Sequence, residues 1–279
     1  MAAVAMSADA PGGRADLPLV DIRAVDLRYG EGEHGMLALQ GVDLQIGRGE
    51  FVALVGPSGC GKSTMLKLIS GLRLPSAGGV IVGGQEVDRP IKIVGMAFQA
   101  PALLPWRTSL SNALLPLEIV EPHCHTFRRD LPRHKERALA LFQKVGLRNV
   151  ADRFPWQLSG GMQQRVSLCR SLIHEPALLL LDEPFGALDA FTREELWDTL
   201  KALQAERGFT VVLVTHDLTE ATYLADTVHV FSQRPGRIIH TRQVPTDCRR
   251  TAQDRYTAHF AQEVANLRQH VGHAQEVPA

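Results

Sequence analysis

Phe51-Val-Ala-Leu-Val-Gly-Pro-Ser-Gly-Cys-Gly-Lys-Ser-Thr64 runs from an unbroken apolar stretch into a glycine-rich turn and then into a helical pattern. Phe51–Val55 has the character of a strand buried on both faces. From Lys62 onward, Met65, Leu66, Leu68, Ile69 and Leu72 recur at helical spacing. Between the two, glycines let the backbone curl until its N–H groups point inward, and the helix start adds about half a positive charge. Lys62 supplies an ammonium for the outer oxygens of a phosphate chain, and Ser63 a hydroxyl for Mg²⁺. An incidental turn explains the glycines but not the strand, spacing and helix together. Gly56, Pro57, Ser58, Gly59, Cys60, Gly61, Lys62, Ser63 and Thr64 therefore read as a phosphate cradle.

Outward from this cradle the pattern divides. On the N-terminal side, Val20, Ile22, Leu27 and Tyr29, and then Leu37, Leu39, Val42, Leu44 and Ile46, alternate as in strands, with a loop over Gly30–Gly35 between them. Gly30-x-Gly32-x-x-Gly35 spells a dinucleotide-like pattern, but no helix follows it, so it reads as loop. Further short strands are expected near Val80–Val82 and Ile93–Phe98. From 105 to 176 strand signals vanish and helical periodicity dominates, as in an insert. Strand–helix alternation returns with Ala177–Leu181, a helix near Arg193–Glu206, Thr210–Val214, a helix after Asp217, and Val228–Phe231. Such alternation predicts an α/β fold with a mostly parallel sheet. The expected division is a disordered leader over 1–17, a core over 18–104 and 177–240, the helical insert over 105–176, and a tail over 241–279, with a helix near Arg255–His270.

Leu178-Leu-Leu-Leu-Asp-Glu-Pro184 is an apolar strand ending in two carboxylates. A phosphate-binding core needs a carboxylate at such a strand end to hold Mg²⁺, and Asp182 fits; Glu183 beside it is placed to act as general base on water. Leu158-Ser-Gly-Gly-Met-Gln-Gln-Arg165 precedes an amphipathic helix. Ser159 suits its N-cap, and Gly160 and Gly161 expose a second set of N–H groups able to take phosphate.

The set GPSGCGKST, Gln99, LSGGMQQR, LLLLDEP, the Ala187-Leu-Asp189 turn and His216 after Val211–Thr215 occurs once and in order, and by it the chain resembles the ABC ATPases from about Leu19 to Ile239. The resemblance implies a P-loop NTPase of RecA-like core with an N-terminal antiparallel β part, hydrolysing ATP with Mg²⁺. It implies a head-to-tail dimer in which each ATP lies between one copy's cradle and the other's Ser159, Gly160 and Gly161. In it Gln99 senses Mg²⁺ and the attacking water, His216 contacts the γ-phosphate, Asp189 couples the two sites, and Tyr29 stacks on adenine. Met162 departs from the Gln common at that position and cannot donate a strong hydrogen bond. Phe98–Thr108 and Ser232–Ile238 resemble the importers of nitrate, sulfonates and taurine; importers of pyrimidine vitamin precursors share much of this. The expected partners are a second copy, integral membrane permease subunits and, indirectly, an extracytoplasmic solute-binding protein, at the cytoplasmic face of the membrane. A soluble ABC ATPase of translation or repair would show two nucleotide units or coiled coils, and a non-hydrolysing regulator would lack Glu183 or His216.

Composition agrees. Lys plus Arg and Asp plus Glu both number 30, and this zero balance argues against nucleic acid as a partner. Four scattered cysteines suggest reduced thiols, the first residues lack a secretory pattern, and no run reaches the ~20 apolar residues of a membrane helix. His123-Cys124-His125 is too tight for three ligands on one metal without further partners, and Arg128–Arg137 reads as a solvated basic face. Leu103, Leu104 and Trp106 follow Gln99 between prolines, in a shaped loop expected at the surface and suited to a permease helix.

Overall fold

The computed structural model describes residues 17–30, 35–186, 188–248 and 251–276. All but the last residue of the expected leader, Gly32 of the glycine pattern, Ala187 of the Ala187-Leu-Asp189 turn and the last three residues of the tail lie outside them.

Ten strands and eight α-helices are described: β1 Val20–Tyr29, β2 Met36–Ile46, β3 Phe51–Val55, α1 Lys62–Ile69, β4 Ala77–Val82, β5 Gln85–Glu86, β6 Val94–Ala97, α2 Ser109–Ile119, α3 His123–Thr126, α4 Leu131–Lys144, α5 Gly160–Leu172, β7 Leu178–Asp182, α6 Ala190–Arg207, β8 Thr210–Val214, α7 Leu218–Leu224, β9 Thr227–Phe231, β10 Ile238–Gln243 and α8 Ala258–Glu276. One sheet is antiparallel, in the order β2-β1-β4-β5; the other has six strands, β10-β9-β3-β8-β7-β6. In the second sheet β9, β3, β8, β7 and β6 are parallel, and β10 closes its edge antiparallel to β9.

The apolar runs of β3, β7 and β8 are buried on both faces, and period two sorts them between two cores. Phe51, Ala53, Val55, Leu179, Leu181, Val211 and Leu213 face one core with α2, α4, α5 and α6. Val52, Leu54, Leu178, Leu180, Val212 and Val214 face another with α1 and the antiparallel sheet. The parallel sheet is thus a middle layer, and its carboxyl edge is where β3, β6, β7 and β8 hand over to Gly56, Phe98, Glu183 and Thr215. Parallel sheets place their ligands at that edge.

Several boundaries differ from expectation for local reasons. α1 stops at Ile69, before the half-exposed Leu72. α6 begins at Ala190 because the Asp189 carboxylate caps it, accepting from the Thr192 N–H at 3.0 Å. β10 was not anticipated: its residues alternate between exposed and half-buried, without a buried apolar side. The tail packs on the core through Phe260 and Leu267 of α8, and Arg255, just before α8, lies over the rings of Tyr223 at 4.5 Å and Trp197 at 5.7 Å.

Candidate active site

The loop after β3 turns sharply because two of its glycines take backbone angles closed to side chains. Gly56 has φ +146° and Gly61 φ +109°; a Cβ would come 2.7 Å from the Phe231 carbonyl at the first and 2.6 Å from Leu39 at the second. Gly61 then starts α1, whose free N–H groups face the loop. The Lys62 ammonium folds into this loop and donates to the carbonyls of Gly56 at 2.8 Å and Pro57 at 2.7 Å. Cys60 is buried beneath the turn.

The loops from the other strands meet it. Ser63 donates its hydroxyl proton to Asp182 Oδ1 at 2.8 Å, across from the end of β7. Burial pushes the Asp182 carboxyl up, and neighbouring Glu183 adds to this; the Ser63 hydrogen bond and Lys67 and Lys62 pull the other way. Glu183 sits at the strand exit with φ +46°, a strained angle for a side-chain-bearing residue. Its Oε2 accepts from Gln99 Nε2 at 3.1 Å and lies 3.4 Å from His216 Nδ1. Tyr29 borders the same space: its hydroxyl is 3.1 Å from Thr64 Oγ1, and Arg73 lies over its ring at 4.6 Å.

These groups enclose a cleft of about 390 Å³ lined by Tyr29, Ala38, Gly56, Ser58, Gly59, Gly61, Lys62, Ser63, Thr64, Gln99, Glu183, His216 and Arg234. The fold brings eleven residues named from sequence to this one surface, with Asp182 behind Ser63. Ser159, Gly160, Gly161 and Asp189 do not line it. Ser159 caps α5, accepting from the Met162 N–H at 3.3 Å, and Ser159, Gly160 and Asp189 are exposed. Ala38 and Arg234 were not foreseen. Arg234 donates to the Gly59 carbonyl at 2.8 Å and so buttresses the cradle from the turn before β10. The Ser232–Ile238 stretch does not by itself place Arg234 at the cradle, nor does the β2 pattern place Ala38 there, because the two segments meet through tertiary pairing, as at Leu39 and Gly236.

A hydroxyl and a buried carboxylate on facing strand ends are hard oxygen donors of the kind Mg²⁺ takes, and a cation there would favour the ionised form that burial disfavours in Asp182. Backbone N–H groups and Lys62 beside them suit a chain of phosphates. Glu183, held at one oxygen, is a carboxylate directed at whatever those phosphates present.

Comparison with known proteins gives the family and the fold. The family model described as ABC transporter matches residues 39–186. The aliphatic sulfonates import ATP-binding protein SsuB of Bacillus licheniformis is 40% identical over 228 residues, 82% of this chain and 85% of that one. The taurine import ATP-binding protein TauB of Chromobacterium violaceum is 43% identical over 219 residues, 78% of this chain and 80% of that one. Among solved structures, the dimeric post-hydrolysis ATP-binding cassette MJ0796 bound to ADP and Pi superposes with a TM-score of 0.73 at 35% identity, covering 81% of this chain and 99% of that one.

Proposed function

The chain belongs to the ABC transporter family, and on that premise we propose that it is the ATPase of an importer for a small organic anion, a sulfonate or taurine. It is an ATP-binding import subunit whose hydrolysis of ATP is coupled to transport. The names of SsuB and TauB and the Phe98–Thr108 and Ser232–Ile238 stretches support this cargo.

What carries the assignment of roles is the convergence of Lys62, Ser63, Gln99, Glu183 and His216 on one cleft. Lys62 exchanges the neutral carbonyls of Gly56 and Pro57 for anionic phosphate oxygens, a stronger charge-assisted bond. Ser63, Asp182 and Gln99 would hold Mg²⁺, which supplies charge neutralisation at the outer phosphates. Glu183 takes the proton of the attacking water. Gln99 and His216 both contact Oε2, which fixes the carboxylate while the water is deprotonated. Tyr29 offers the flat face on which adenine stacks.

Ser159, Gly160, Gly161 and Asp189 act on a second copy. They do not line the cleft around Lys62, and the free N–H groups of α5 begin at an exposed serine. Head-to-tail pairing sets them over the partner's phosphates, in keeping with the dimeric MJ0796 cassette. The division into a core over 18–104 and 177–240, an insert over 105–176 and a tail from 241 follows the same logic, and the working place is the cytoplasmic face of the membrane beside a permease.

Glu183→Gln tests the chemistry. Loss of a general base costs about 10²–10⁴ in rate. The variant should lose turnover on that scale, keep ATP affinity, and accumulate an ATP-bound dimer in sedimentation. Turnover near the wild-type rate would remove Glu183 from its role.

A further inference from the structure

The geometry points to α5 as a strut that ties one subunit's own ATP site to the site it completes on its partner, with Gln164 and Arg170 as the positioning residues. This rests on the composite-site reading above and goes beyond it. At its N-terminus α5 presents Ser159 and Gly160 outward. Along its body it grips the segment that carries Gln99 on both sides. Upstream, Gln164 is buried and donates to the Phe98 carbonyl at 3.1 Å, while its own Oε1 is buried without a partner. Downstream, Arg170 donates to the carbonyls of Pro101 at 2.7 Å and Ala102 at 2.9 Å. A third contact precedes both: β6 passes so close that a Cβ on Gly95 would lie 2.1 Å from the Ser171 carbonyl of α5.

Gln99 is therefore flanked by α5 contacts at the residue before it and at two and three residues after it, and it in turn holds Glu183 Oε2. Two features make this more than packing. Ala102 is held at φ +46°, a strained angle that its neighbours must enforce, and the Arg170 bond to its carbonyl is one such restraint. Burial pulls the Arg170 pKa down, so the guanidinium sits in a costly place to serve two neutral carbonyls. A helix of 13 residues moves as a rigid rod about 20 Å long. When the partner's phosphates draw the Ser159 end inward, the rod shifts the loop that positions Gln99. Occupancy of one site then changes the competence of the other, which is a coupling between two distinct sites through a named element.

The test uses the full chain. ATP dependence of hydrolysis is measured for wild type, Arg170→Ala, Arg170→Lys and Glu183→Gln, with melting temperature and ATP affinity on each preparation. Wild type should show a Hill coefficient near 2, the number of sites. Arg170→Ala should fall toward 1 and lose roughly 3- to 30-fold in kcat with ATP affinity unchanged. Arg170→Lys, which can still reach a carbonyl, should recover most of both. The strut is overturned if wild type itself shows a Hill coefficient of 1, or if Arg170→Ala keeps the wild-type value. It is also overturned if Arg170→Ala and Arg170→Lys lose kcat and melting temperature together, for then Arg170 only supports the fold. Normal turnover in Glu183→Gln would instead break the site assignment; an inert Glu183→Gln beside a cooperative Arg170→Ala breaks the strut alone.

Discussion

Glu220 lies four residues beyond His216 and is buried, with its Oε2 accepting the Thr215 hydroxyl at 2.6 Å. Burial pushes its carboxyl up to about 8; Asp217 and Glu183 push the same way, and Thr215 and Arg193 oppose. In the unfolded chain the group titrates near its ordinary value of 4.5. Between those two values the folded state keeps a proton that the unfolded state has released, so stability falls as pH rises through the window. Glu220→Gln, neutral at every pH and still able to accept from Thr215, should melt above wild type at pH 8.5 and lose that advantage toward pH 5. Melting curves at both values check it; parallel curves for the two proteins would mean that Glu220 is ionised in the fold. Residues such as Lys62, Ser63, Asp182 and Glu183 could be read from sequence because each belongs to a contiguous run whose neighbours state its setting. Glu220, Gln164 and Arg170 could not, since a polar residue at a helical position looks the same whether it meets solvent or a buried carbonyl.

Strands were the most legible elements. β3, β7 and β8 are short apolar runs, and a run apolar on both faces has no stable home except the middle of a covered sheet. β10 is the opposite case: Ile238–Gln243 becomes a strand through pairing with β9, at positions such as His240 with Val230, and not through its own pattern. The tail helix was foreseen, but its docking was not, because Phe260, Leu267 and Ala274 are sparse among polar residues. That docking carries a prediction. Phe260 is 3% exposed in the same core as the sheet. Phe260→Ala should cost about 3–5 kcal/mol, seen as a fall of roughly 10 °C in melting temperature. ATP affinity should hold, because Phe260 does not line the cleft. A fall of only a degree or two, measured by calorimetry, would show that α8 is loosely attached.

At the scale of the molecule, no helix among the described residues is long and apolar enough to cross a membrane, and as an ATP-binding import subunit the chain works with membrane components. The segment after Gln99 offers a surface for such a contact. Its three large apolar residues divide: Leu103 packs against the core, Leu104 is half-buried, and Trp106 is 70% exposed. The loop that presents Trp106 is not slack. Asn112 is fully buried and donates to the carbonyls of Leu104 at 3.0 Å and Arg107 at 3.0 Å, accepting from the Leu104 N–H in return. Arg107 pairs with Glu118 through two bonds of 2.7 and 3.0 Å. A large apolar side chain held outward on a braced loop gains nothing for the fold. It gains a great deal if a permease segment covers it, because a buried Trp is worth about 2 kcal/mol or more at an interface. Trp106→Ala should therefore melt and bind ATP as wild type does, yet lose at least about tenfold in affinity for the permease and hydrolyse ATP without transport. Thermal melting, ATP titration and co-purification with the permease on one preparation decide it. Early melting would return Trp106 to the core beside Leu103, and full co-purification would move the contact elsewhere on the surface. Leu103→Ala is the control with the reverse signature, since its side chain faces the core: it should lower the melting temperature first and touch the permease only as a consequence.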